Sequence, residues 1–318
     1  MSTEGGTKAI IAALLANLGI AVSKFVAFLI TRSSSMLAES IHSLADSGNQ
    51  VLLLVGGKRA SREATPEHPF GYGRQRYVYA FIVSIVLFSV GGLFALYEAW
   101  HKWEDPHGFE GNEGWIAIGV LVVAIGLESY SFRTAITESN RTRGRRTWVE
   151  FVRTSKSPEL PVVLLEDLAA LLGLVFALLG VGLTIATDDG HWDAVGTALI
   201  GLLLVSVAAV LAVEMNSLLI GEAATKDDVT AIEKALVGPG VARVIHMKTL
   251  HLGPEELLVA AKIAVGATDS AQDVAEAIDA AEKRVRAAVP IARVIYLEPD
   301  IDRTPGSTTA PSEAAVAG

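Results

Sequence analysis

Apolar residues cluster in six stretches of this chain, at approximately 8–30, 36–57, 78–100, 114–134, 160–186 and 194–220. Each is about 20 residues or longer, enough to cross a hydrocarbon core of roughly 30 Å as a helix. A bilayer offers no water to unpaired backbone groups, so each stretch must satisfy its own N–H and C=O groups, and six membrane-spanning helices are the expectation. Composition agrees: 51% of the 318 residues are hydrophobic and mean hydropathy is positive, which is unusual for a soluble domain of this length. Spans 2 and 5 are interrupted by charge, and a plain hydropathy scan is expected to rank them lowest.

Span 2 carries the most informative pattern. Glu39, His42, Asp46 and Asn49 recur at spacings of three and four residues, so all four share one face of a helix. An ionisable group inside a bilayer costs several kcal/mol unless it faces a protein interior or a wet cavity, so the stripe marks a binding site or a pathway. His42 and Asp46, on adjacent turns, can close on one metal ion. The competing reading is an intramembrane hydrogen bond that holds two helices together.

Cysteine is absent, which excludes disulfides and thiolate ligands and leaves His, carboxylate, carbonyl or water to hold any metal. A few polar residues precede the first span without a small-residue cleavage pattern after it, so that span is expected to be retained. The net charge of −9 excludes little, but basic residues are unevenly placed. Lys58, Arg59, Arg62, Arg74 and Arg76 follow span 2; Arg133, Arg141, Arg143, Arg145, Arg146, Arg153 and Lys156 follow span 4. The alternate loops are poor in them, which makes these two loops and both termini cytoplasmic. Ser34, Asn112 and Asp189 should then lie outside, and Thr65, Arg143 and Thr268 inside.

After Ile220 the texture becomes that of a small soluble domain. Val229, Ile232 and Leu236 have helical spacing, and Val241–Leu250 and Leu257–Val265 read as strands. A helix follows with Ser270 and Asp273 at its start and Val274, Ile278, Ala281, Val285 and Ala288 as its buried stripe. A strand over Ile291–Leu297 completes an αββαβ order, one sheet with its helices on one face. The expected organisation is a transmembrane domain over 1–220, a cytoplasmic α+β domain over 221–302, and a disordered tail over 303–318, rich in Pro, Gly, Ser, Thr and Ala.

The run SMLAESIHSLADSGNQ (35–50), the loop HPFGYGR (68–74), LESYSF (127–132), VVLLEDLAALLG (162–173) and LLIGEA (218–223) together resemble the cation diffusion facilitator family, over nearly the whole chain. The form of span 5 is similar to the branch that includes the animal mitochondrial zinc transporter. The resemblance implies six transmembrane helices, a cytoplasmic ferredoxin-like domain, a homodimer, and export of divalent metal from the cytoplasm in exchange for protons. It implies a transport site with two ligands from span 2 and two from span 5, which here fall on His42, Asp46, Val163 and Asp167. Valine cannot coordinate, so Glu166, Glu39, Asn49 or water is left for the fourth place. Glu166 lies about 100° around the helix from Asp167 and would need a rotation to join it. His68 corresponds to a second site that some members hold, although Tyr72 stands where they carry another His. His246 and Glu298 fall near regulatory zinc positions whose other ligands are missing, and His251 cannot supply one, because residues five apart on a strand face opposite sides. Glu128 matches no ligand position and is left to a structural or proton-relay role.

Zinc suits one nitrogen with several oxygens, and manganese, iron or cobalt are acceptable to the same set. Metal and protons compete for imidazole and carboxylate, so a proton gradient can drive the ion outward. The sequence has no GxxxxGK[ST] and no HExxH, so neither nucleotide hydrolysis nor zinc peptidase chemistry is expected and the chain is not read as an enzyme. A non-transporting membrane scaffold is the other alternative. Expected partners are divalent metal, protons, lipid and a second copy of the chain, with no nucleic acid, and the expected location is a bacterial inner membrane.

Overall fold

The computed structural model describes residues 4–31, 34–106, 108 and 112–301, leaving aside the side chains of 4, 5, 31, 34–39, 41, 42 and 45. The expected tail over 303–318 lies outside the described residues. The chain divides into two compact units, Met1–Ile220 and Gly221–Gly318.

The first unit is helical: α1 Glu4–Thr31, α2 Ser34–Ala60, α3 Gln75–Val86, a π-helical stretch Leu87–Leu93, α4 Phe94–Glu104, α5 Glu113–Arg143, α6 Trp148–Thr154, α7 Glu159–Thr187 and α8 His191–Ile220. The α3, π and α4 segments run on as a single rod, Gln75–Glu104. Packing joins α1 to α2 and α5, α5 to α7, α7 to α8, and α8 to α3, the π stretch and α4. Such contacts gain little from hydrophobicity in lipid and depend on close approach. Glycine provides it: a Cβ on Gly196 would sit 2.9 Å from the Phe176 carbonyl oxygen across α7–α8, and one on Gly92 would sit 2.6 Å from Val205 Cγ2 on α8.

Five helical rods among the described residues are long and apolar enough to cross a membrane: Gly6–Ile30, Gln75–Glu104, Glu113–Arg143, Glu159–Thr187 and His191–Ile220. The protein is a multi-pass integral membrane protein. The low rank expected for span 2 agrees with the absence of α2 from this set. The low rank expected for span 5 is corrected, since α7 is one of the two most apolar rods. Glu166 and Asp167 are adjacent and near its start, so a long uninterrupted apolar run remains beyond them.

Helix α5 runs nine residues past the expected end at 134, because the extension makes its own polar bonds: Thr137 Oγ1 donates to the Arg133 carbonyl at 2.8 Å and Arg141 pairs with Glu138 at 2.9 Å. Helix α6 was not foreseen, although its signal is in the sequence. Thr147 and Glu150 form a capping box, with Glu150 N–H donating to Thr147 Oγ1 at 3.2 Å.

The second unit contains α9 Lys226–Leu236, β1 Arg243–Gly253, β2 Glu256–Val265, α10 Ala271–Ala288 and β3 Val294–Ile301. The sheet is three-stranded in the order β1-β2-β3, with β1 and β2 antiparallel and β3 parallel to β2 across the α10 crossover. Leu257, Val259, Ala261 and Ile263 on one sheet face pack with Ile232 and Leu236 of α9 and Ala281 and Val285 of α10. The last strand is displaced from its expected span, 291–297. Ile291 lies in the turn before it, where its carbonyl accepts from Leu257 N–H at 2.7 Å. Pro299, which cannot donate to a ladder, is tolerated on β3 because that strand lies at the sheet edge.

Candidate metal site

The first turns of α7 are buried all round: Glu159, Leu160, Pro161, Val162, Val163, Leu164, Glu166 and Asp167 lie in the bundle interior. Two adjacent carboxylates in such a place need polar partners. Asn49 on α2 donates from Nδ2 to Glu166 Oε1 at 3.1 Å, and Ser131 on α5 donates from Oγ to Asp167 Oδ2 at 2.7 Å. Glu128, one turn before Ser131 and 2% exposed, brings its carboxyl beside that of Asp167. Asn17 on α1 donates to Gln50 Oε1 at 3.3 Å, which joins a fourth helix to this polar layer.

These groups surround a cavity of about 250 Å³, whose lining includes Asn17, Ser43, Asp46, Glu128, Glu166 and Asp167. Glu166 and Asp167 thus both line one space, although they are about 100° apart on their helix. Among the described residues, two acceptor atoms beside it, Glu166 Oε2 and Asn49 Oδ1, are buried with no hydrogen-bond partner. Unpaired acceptors among four carboxyl groups make this region strongly attractive to a cation.

The backbone of α2 carries His42 one turn before Asp46, and the side chains of His42 and Glu39 lie outside the described residues. Val163, which the resemblance alone puts at a ligand position, is fully buried in the apolar core. Among the described residues no three His and carboxylate side chains stand close enough to hold one ion together. The carboxyl groups are distributed around the cavity rather than drawn to a point.

The remaining candidates lie elsewhere. His68 is exposed, its ring stacked on Tyr72 at 4.6 Å and its backbone paired with Thr65. In the second unit the register sets His246, Lys262 and Glu298 in one row across the three strands. Lys262 Nζ stands 2.9 Å from Glu298 and 3.6 Å from Asp300, so an ammonium separates His246 from these carboxylates. Hydrogen bonding to Glu298 holds the Lys262 ammonium above its usual range. His251 pairs with Leu257 and so faces the helix-covered side, opposite His246.

Sequence reading missed Asn17, Gln50 and Ser131. Ser131 had a signal, three residues after Glu128 on the same face of α5. Asn17 had only its isolation as an amide within an apolar span, and Gln50 its place beside Asn49.

A family model described as the cation efflux transmembrane domain matches residues 10–220. The chain is 32% identical over 267 residues to "Proton-coupled zinc antiporter SLC30A9, mitochondrial" of Xenopus laevis, covering 83% of this chain and 47% of that protein. The human protein of that name is 30% identical over 253 residues, 79% of this chain and 44% of its own length. "Metal tolerance protein C4" of Arabidopsis thaliana is 27% identical over 269 residues, 83% of this chain and 58% of its own. The chain spans about half the length of the curated relatives it matches. The family-model match over most of the helical unit and these identities carry one conclusion: the chain belongs to the cation diffusion facilitator family.

Proposed function

We propose that this protein moves a divalent metal ion, zinc first among the candidates, across a membrane in exchange for protons, exporting it from the cytoplasm. One observation carries the reading: Asp46, Glu128, Glu166 and Asp167 line a single cavity in the interior of the helical bundle, where a cluster of acids is costly unless cations pass. The relatives named as zinc antiporters support the choice of metal.

In this reading α2 is a sixth span, with Ser43 and Asp46 lining the cavity, and the second unit is a ferredoxin-like cytoplasmic domain over 221–302 through which two copies associate. His42, Asp46 and Asp167 bind the ion, and Glu166 takes the place that Val163 leaves, once carboxyl groups that stand apart around the cavity are drawn together on it. Asn49 holds Glu166, and Ser131 holds Asp167. Zinc requires neutral imidazole and ionised carboxylate, so loading releases protons and protonation from the far side releases the ion. Glu128, beside Asp167, is positioned to take up or supply a proton as the site empties or fills.

Two experiments test this. Uptake of zinc, manganese, iron and cobalt into proteoliposomes under an imposed proton gradient reads the transport; no flux of any of them refutes it. Because native cysteine is absent, single replacements at 112, 189, 145 and 268 report sidedness with an impermeant maleimide on intact cells. Labelling at 112 and 189 alone is expected, and strong labelling at 145 or 268 contradicts the orientation.

A further inference from the structure

The cavity around the central carboxyl groups has a second polar end. Four-residue spacing sets Glu98 and Lys102 on one face of α4, and Asp193 and Thr197 on one face of α8. The packing of α4 on α8 brings these faces together. Lys102 Nζ stands 2.9 Å from Asp193 Oδ2, 3.4 Å from Glu98 Oε1 and 3.2 Å from Thr197 Oγ1. Three oxygens thus converge on one cation, and Thr197 Oγ1 is itself held by the Asp193 carbonyl at 2.9 Å. Glu98, Lys102, Asp193 and Thr197 line the same cavity as Asp46, Glu128, Glu166 and Asp167.

An ion that leaves the central carboxyl groups by this route meets two more carboxylates before it reaches water. A paired carboxylate site with a hydroxyl beside it suits a divalent cation, and an ion captured there would leave slowly. The ammonium of Lys102 already stands at the point where those oxygens meet, and it halves their combined charge. Lysine fits the task because its ammonium is a compact point charge on a flexible stem that can give way to a passing ion and return.

We propose that Lys102 is a tethered counter-cation at this end of the pathway, which keeps Glu98 and Asp193 from capturing the divalent ion and so lets released metal clear the cavity. The proposal rests on the transport reading above, and it adds a residue on α4 that sets how fast the ion leaves and how strongly metal added from that side competes.

The test is zinc binding to the full chain in detergent, by calorimetry, together with zinc flux in proteoliposomes. Lys102→Gln is expected to gain a second saturable zinc site, to slow flux roughly ten-fold, and to become sensitive to zinc added at the α4–α8 end. The double variant Lys102→Gln with Asp193→Asn is expected to lose the extra site and recover flux. Lys102→Met, which keeps the aliphatic stem, repeats the single test if the Gln variant does not fold. An unchanged number of zinc sites with unchanged flux in Lys102→Gln or Lys102→Met overturns the proposal, and so does an extra site that persists without Asp193. Should the unaltered chain neither bind nor move zinc, the transport reading fails instead, and the gain of a site on removing Lys102 still decides this proposal.

Discussion

Asn49 Nδ2 donates to Glu166 Oε1 at 3.1 Å, a bond from α2 to α7 one turn beyond Asp46. The amide fixes one oxygen of the carboxyl, and the other, Oε2, is buried without a partner among the described residues. A carboxylate held in this way is preorganised for a cation, and the holding residue acts on the ion through it.

Glu166→Gln, which keeps the shape and removes the charge, is therefore expected to weaken zinc binding by roughly 10- to 100-fold. Asn49→Ala is expected to weaken it less, toward the lower end of that range. Calorimetry on both variants reads the difference, and wild-type affinity in Glu166→Gln would remove Glu166 from the ligand set.

Val163 is fully buried among apolar side chains. An imidazole at that place needs extra volume and a polar partner, so Val163→His is expected to cost about 1–3 kcal/mol of stability. With Glu166 as fourth ligand, it should leave the preference for zinc over manganese unchanged. Thermal unfolding in detergent and competition flux measure the two effects, and a marked shift toward zinc would mean that position 163 is the open corner of the site.

Arg76 and Glu159 tie the start of α3 to the start of α7 by an ion pair of 2.9 Å, with side chains only 15% and 7% exposed. Removing one partner strands the other charge, so Glu159→Ala is expected to destabilise by about 3–5 kcal/mol. A clear loss of thermal stability in detergent checks this. An unfolding temperature equal to wild type would show that the pair contributes nothing.

In the second unit Ser270 Oγ and N–H both donate to Asp273 Oδ2, at 2.6 and 2.9 Å, and Asp273 N–H donates back to Ser270 Oγ at 3.2 Å. Ser270→Ala is expected to cost about 1 kcal/mol, as loss of an N-cap usually does. The Ser270 hydrogen bonds hold the Asp273 carboxyl below its usual range. Its contribution is therefore full above the ordinary carboxylate value, about 4, and is lost as pH falls through the lowered one. Denaturation of the wild type and of Ser270→Ala should converge as the medium is acidified, and a difference that grows with acid would contradict the sign.

What the sequence made legible were features repeated along the chain. The helical rods announce themselves through length and apolarity, and the stripe on α2 through its spacing. The two carboxylates of α7 were visible, but not that both would reach one space, because helical phase alone turns Glu166 away from Asp167. Only a cavity that both side chains line, and the amide of Asn49 from another helix, reconcile them. The partner on α1 was hidden for a related reason: Asn17 acts across helices, and no local pattern encodes which side chain a neighbouring helix presents, whereas Ser131 on α5 was marked only by its spacing from Glu128. The hydropathy of α7 misled in the opposite sense, since two adjacent charges near a helix start leave a long apolar run intact.

The most direct measurement is zinc flux into proteoliposomes driven by an imposed proton gradient, compared across the unaltered chain, Asp46→Ala and Asp167→Ala. The account predicts gradient-driven zinc movement in the unaltered chain and background flux in both variants, with protein amount and thermal stability verified alongside. Undiminished flux in both variants would contradict it, because the ion would then be crossing without the carboxylates that line the cavity.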